Sequence, residues 1–242
     1  MLRKILMVLA WLPGVTMAAG GGHSLDHANI DPKDLLSIQS GARTFVNYCL
    51  NCHSASSMRY NRLLDLGLTE KQIKENLMFA GAKVGDPMNI AASRQAQRKW
   101  FGVEPPDLSV IARSRGVDWL YTYLRTFYRD ETRPSGWNNL RFPNVGMPHV
   151  LWQLQGTQVL KEESEDHGGH PVVHRKLTLA APGQLSPAAY DTLVRDLVNY
   201  LDFMGEPEQA TRIRTGYFVL IFLFFLLVLT WMLKREYWKD VH

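Results

Sequence analysis

Apolar residues recur at helical intervals in several stretches of this chain. Ala42, Phe45, Val46 and Cys49 repeat every three or four positions, with Leu36 ahead of them, and predict a helix that ends at the first cysteine. Gly41 lies inside it, which marks either a close contact with another helix or a break. Thr69–Phe79 reads as a short helix with Thr69 as N-cap. Residues 83–107 are rich in Gly, Pro and polar side chains and read mostly as loop. Val117–Tyr128 is predicted helical, with Trp119, Leu120, Tyr123, Leu124 and Phe127 on one side as core or as the wall of a site. Val150–Leu160 and Val172–Ala180 read as two strands of a hairpin. Ser186 then caps a helix with Pro187 at its first position and a stripe of Tyr190, Leu193, Val194, Leu197, Val198 and Leu201, stopped by Gly205 and Pro207. The expected architecture is all-α, with a small β-hairpin insertion and one C-terminal transmembrane helix.

Two apolar runs are continuous. Gly216–Leu233 is 18 residues without a charge, about 27 Å as a helix, and so predicts a membrane span. Near the start, Arg3 and Lys4 precede Ile5–Pro13, and small residues surround Ala18 and Ala19, the order of a secretory signal peptide over 1–19. With 242 residues, 46% hydrophobic and 21% charged, disorder and a polytopic membrane fold are excluded. The net charge of +4 comes from the two ends: residues 20–211 hold 20 basic and 21 acidic side chains. Composition thus gives no basic body for nucleic acid. Lys234, Arg235 and Lys239 after the span place the tail 234–242 in the cytoplasm and the body 20–211 in the periplasm, joined by 212–233. The expected location is a bacterial inner membrane.

The only cysteines, Cys49 and Cys52, stand in Cys49-Leu50-Asn51-Cys52-His53. A disulfide across so tight a loop would add little, whereas this spacing followed by His is the attachment signature of c-type haem. The two thiols add across the haem vinyl groups as thioethers, and His53 serves as proximal ligand. A second axial ligand has several candidates. Met1, Met7 and Met17 fall in the signal, Met232 falls in the span, and Met58 follows His53 too closely. Met78 and Met204 read as helix core. Met147, in the loop Phe142–His149 stiffened by two prolines, competes with Met88 in Gly85-Asp86-Pro87-Met88, and His149 offers bis-His ligation. Pro105-Pro106-Asp107-Leu108-Ser109 would supply a backbone carbonyl to the free N–H of His53, or else form an ordinary proline turn. Arg113 or Arg115 would pair with a haem propionate unless solvated. His167, His170 and His174 flank a Gly-Gly pair near four acids and read as a solvated hairpin loop. No nucleophile, base and orienter stand together, which points to electron relay over substrate turnover.

The order of signal, Cys-Leu-Asn-Cys-His, Pro-Pro-Asp-Leu-Ser, Gly-Met-Pro, Gly-Glu-Pro-Glu and C-terminal span with a basic tail resembles the cytochrome c1 family of the quinol–cytochrome c oxidoreductase, the cytochrome bc1 complex. The resemblance implies a cytochrome c-like domain with one covalently attached haem c on Cys49 and Cys52, His53 and Met147 as axial ligands, and Arg115 at a propionate. It further implies electron transfer from a Rieske iron–sulfur protein to a c-type cytochrome acceptor, across an exposed haem edge. Cytochrome b, carrying the quinol site, would be the other partner, in a dimeric complex. A c-type haem subunit of a terminal oxidase or reductase is the alternative.

Overall fold

The computed structural model describes residues 24–166 and 171–240, so the expected signal 1–19, His167 and His170 lie outside the described residues. Helix α1 (Leu35–Thr44) starts where the Asp34 carboxylate accepts the Ser37 N–H at 3.0 Å. Its continuation to Cys49 is a π-turn, Phe45–Cys49, with Leu50 N–H bonded back to the Phe45 carbonyl. This extra residue per turn re-aims the cysteine end of the helix, and hydrophobic periodicity carries no sign of it. Strand β1 (Ala55–Arg59) pairs antiparallel with β2 (Pro87–Met88). Between them lie a 3₁₀ helix, Tyr60–Leu66, and α2 (Glu70–Asn76), which opens on a reciprocal cap between Thr69 and Gln72.

The stretch expected to be loop contains α3 (Arg94–Phe101), capped by Ser93. Its only buried residue is Gln97, so it carries no apolar stripe. Helices α4 (Ile111–Arg115) and α5 (Val117–Arg125) follow. The predicted helix to Tyr128 stops at Arg125, because the chain enters β3 (Phe127–Arg129), which pairs with β4 (Trp137–Asn139). The predicted strand from Val150 also begins later. Trp152–Gln155 is the short helix α6, and the hairpin is β5 (Gly156–Asp166) against β6 (Pro171–Pro182). Gly156 makes that change of direction at φ +94°, where a Cβ would lie 2.3 Å from the Ala181 carbonyl oxygen. Helices form the framework, and the pairs β1–β2 and β3–β4 are additions to the all-α expectation.

Helix α7 (Pro187–Gly205) packs its stripe on α1. Ile38, Ala42, Phe45, Val194, Leu197, Val198 and Tyr200 are at most 1% exposed there, and each large side chain contributes about 1.5–3 kcal/mol on leaving water. Gly41 is the closest approach: a Cβ built on it would stand 2.0 Å from the Asp196 carbonyl oxygen. The glycine is a helix contact, not a break. Beside it Ser37 donates to the Asp196 carboxylate at 2.8 Å, and Asn199 donates to Ser37 Oγ and the Asp31 carbonyl.

The expected linker 206–215 is mostly helix, since α8 (Gln209–Tyr237) begins seven residues earlier than predicted. Only Glu206–Glu208 separate it from α7. Ion pairs hold this joint: Glu206 accepts from Arg212 and lies 3.4 Å from Arg113, and Glu208 lies 2.6 Å from Arg62. Along α8, Thr211–Tyr237 is long and apolar enough to cross a membrane, with its side chains exposed all round.

Candidate functional site

The π-turn delivers Cys49 to the end of α1, where Cys52 N–H and His53 N–H both turn back to the Cys49 carbonyl, at 3.1 and 2.9 Å. The two cysteines and the histidine therefore share one tight turn. Both thiols are free and half-buried. Burial, with Cys52 adjacent, pushes the Cys49 thiol up to about 12, and burial raises Cys52 as well, so both are neutral S–H groups.

His53 Nδ1 lies 2.7 Å from the Pro106 carbonyl oxygen. A carbonyl only accepts, so Nδ1 carries the proton and Nε2 keeps its lone pair. Burial lowers the imidazole's proton affinity, against the Pro106 carbonyl and the Asp107 charge, which favour the proton. The Pro106 carbonyl is itself held. Asp107 accepts from Ser56 N, Ser56 Oγ and Ser109 N at 2.7–2.9 Å, and Leu108 N–H donates to the Ser54 carbonyl. Burial opposes the Asp107 charge, but the bonds from Ser109 and Ser56 outweigh it and hold the carboxyl below 3.8.

Met147 stands in the loop that follows β4. The Tyr123 hydroxyl, on α5, donates to Met147 Sδ at 3.3 Å. Burial pushes the Tyr123 phenol well above its usual range, so it remains a donor. The preceding Gly146 faces Val103, whose Cγ2 would be 3.3 Å from a Cβ there. The segment Val103–Pro106 thus touches the Met147 loop at one end and His53 at the other.

The rival ligands sit elsewhere. Met88 is fully buried under the Tyr200 hydroxyl at 3.5 Å, Met58 and Met204 are in the same core, and Met78 packs against it. His149 is 2% exposed, stacked on Phe127 at 4.9 Å and edge-on to Trp137, and burial pushes it down to about 4 although Gln155 favours its proton. Arg113 is engaged by Glu206. Arg115 is exposed, with its guanidinium 5.1 Å from the Trp119 ring centre and 6.0 Å from that of Phe142. Trp119 in turn stacks on Tyr123 at 5.0 Å, so an aromatic row runs from Arg115 to the methionine loop. Among the described residues, no group of three or more His, Cys, Asp or Glu side chains is placed to hold a metal ion.

Two features escaped the sequence. Asn138 and Asn139, in β4, accept the backbone N–H groups of Arg141, Phe142 and Asn144 in the loop before Met147, and the pair carried no signal beyond that of a polar turn. Tyr123 was legible only as a wall residue.

The donor set fits a haem: two neutral thiols in one turn, followed by an imidazole whose outer nitrogen is already engaged and whose inner one is free to ligate. Together with the C-terminal span, this defines a membrane-anchored c-type cytochrome. A cytochrome c1 of Allochromatium vinosum is 50% identical over 245 residues, covering all of both chains. A chain of Nitrosomonas europaea named ammonia monooxygenase gamma subunit is 48% identical over all of this chain and 99% of its own. Cytochrome c1 of Rhodospirillum rubrum is 27% identical over 97% of this chain and 94% of its own. The model of the Cytochrome C1 family matches residues 183–241. The chain belongs to the cytochrome c1 family, the c-type cytochrome subunit of the bc1 complex, whose members carry a covalently bound haem c beside cytochrome b and a Rieske protein.

Proposed function

We propose that Cys49 and Cys52 hold the haem as thioethers, that His53 and Met147 are its axial ligands, and that Arg115 neutralises a propionate, in a cytochrome c-like domain with the β5–β6 hairpin as an insertion. The bond from His53 to the Pro106 carbonyl carries this reading, because it fixes the tautomer that leaves Nε2 for iron. The bound haem supplies a one-electron couple. His53 is held in one orientation by Pro106, and Pro106 by Asp107 and Ser54, so the ring need not reorganise between oxidation states. Met88 and Met58 are committed to the core, which favours Met147 on the other face. Arg113 is occupied by Glu206, which favours Arg115 for the propionate. The haem domain faces the periplasm after removal of 1–19, with 234–242 cytoplasmic. It takes electrons from the Rieske protein and passes them to a c-type cytochrome, within a dimeric complex.

The test uses the detergent-solubilised holoprotein. Met147→Leu is expected to abolish the weak far-red sulfur-to-iron band of the oxidised haem and to lower its potential, with Met88→Leu retaining both. The reverse pattern would transfer the ligand to Met88.

A further inference from the structure

The loop from Leu140 to Met147 belongs to no helix or strand, yet it must hold one thioether in place. Its backbone is gathered onto two side chains. Asn139 is fully buried, and its Oδ1 accepts the N–H groups of Arg141 and Phe142, both at 2.9 Å, and the Thr126 hydroxyl at 3.3 Å. Its Nδ2 donates to the Tyr123 carbonyl at 2.7 Å, on the residue whose hydroxyl meets Met147 Sδ. Asn138, 7% exposed, accepts the Asn144 N–H at 2.8 Å and the Asn139 N–H at 2.9 Å, and donates to Asp130 at 2.8 Å. Asn144 sits at φ +62°, a left-handed conformation in a residue other than glycine, held from its far side by Arg133. Strand pairing of Asn139 with Phe127 and of Asn138 with Tyr128 anchors both amides to β3.

We infer that Asn138 and Asn139 are positioning residues for the sulfur ligand: their amide oxygens fix three backbone N–H groups of the loop and thereby hold Met147 toward the haem. This rests on Met147 being the second axial ligand. A thioether is a weak donor, and the covalent thioether links keep the haem in place whether or not the methionine is bound. Its occupancy is therefore set by how far the free loop already has the bound shape. With the amides removed, the loop samples other shapes and the sixth position opens.

The test compares purified, solubilised holoprotein carrying Asn139→Ala, Asn138→Ala, Met147→Leu or Ile73→Ala. Ile73 is a fully buried core residue on α2, and its truncation loosens the fold without touching the loop. Each is read by the far-red band, the midpoint potential and titration with imidazole. Both asparagine variants are expected to keep covalent haem, to weaken or lose the band, to shift to lower potential, and to bind imidazole about tenfold more tightly. Ile73→Ala is expected to match wild type in all three. Asparagine variants that match wild type while Met147→Leu loses the band overturn the inference alone. Changes of the same size in Ile73→Ala overturn it too, since the effect is then general loosening. A band that survives Met147→Leu removes the ligand reading and the inference with it. Should Asn139→Ala not accumulate, Asn138→Ala, which leaves the Arg141 and Phe142 bonds intact, decides on the same readouts.

Discussion

Replacing Gly41 with alanine should destabilise the haem domain, although alanine is the better helix former by about 1 kcal/mol. The added Cβ would stand 2.0 Å from the Asp196 carbonyl oxygen, 2.7 Å from its carbon and 2.7 Å from Tyr200 Cβ. A carbon and a carbonyl oxygen rest at about 3.3 Å or more, so α1 and α7 must part by roughly 1 Å. None of the obstructing atoms is the end of a flexible side chain. Overpacking costs about 1–3 kcal/mol where side chains adjust, and a gap of ~1 Å forfeits up to half of the dispersion well of each contact it opens. Phe45, Val194, Leu197 and Tyr200, all fully buried, line this crossing. After the propensity gain, a net loss of about 2–3 kcal/mol is expected. For a domain of this size, that is a midpoint lower by roughly 5–10 °C in thermal unfolding followed by circular dichroism. Gly85→Ala is the matched control, since nothing lies within 4 Å of its Cβ position. A Gly41→Ala protein that unfolds at or above the wild-type temperature would refute the close crossing.

Tyr123→Phe removes the bond to Met147 Sδ; with Met147 as the proposed ligand, a sulfur relieved of that bond donates more strongly to oxidised iron, so redox titration should show a potential lower by a few tens of millivolts, about 1 kcal/mol, with haem content unchanged. Asp107→Asn should matter at neutral pH and not in acid. The folded carboxyl lies below its ordinary 3.8, so its stabilisation is complete above that value and is lost as pH falls through the folded value. Denaturation midpoints of the two proteins should therefore begin to converge near pH 3.8 and meet once pH has fallen past the folded value, and a constant difference would show that Asp107 acts through shape alone. Glu206→Gln should leave the unfolding temperature within a degree or two yet speed amide exchange over residues 206–212, as exposed ion pairs add little global stability.

The helices with an apolar stripe and a capping residue were readable in the sequence, α7 with Ser186 and Pro187 above all, because burial and capping are local signals. Helix α3 was not, since Arg94–Phe101 buries only Gln97 and so shows no periodicity. The β3–β4 pair was hidden because Phe127 and Tyr128 continue the helical spacing of α5, and only the non-local partner Trp137–Asn139 turns them into a strand. At the site, the attachment turn is written in five consecutive residues. The link from His53 to Pro106 spans 53 positions and was open between two readings. The dependence of Met147 on Asn138 and Asn139 is a matter of side-chain amides meeting backbone N–H groups, for which a sequence has no period.

The joint at Glu206 has a bearing on where motion belongs in electron transfer. Three residues, pinned by Arg113, Arg212 and Arg62, connect the haem domain to the membrane helix, leaving no slack for the domain to swing on a leash. A haem mounted in this way would keep a nearly constant distance from the membrane helix. Since tunnelling rates fall steeply with separation, any large change of distance during turnover has to be made by the molecules that call at it.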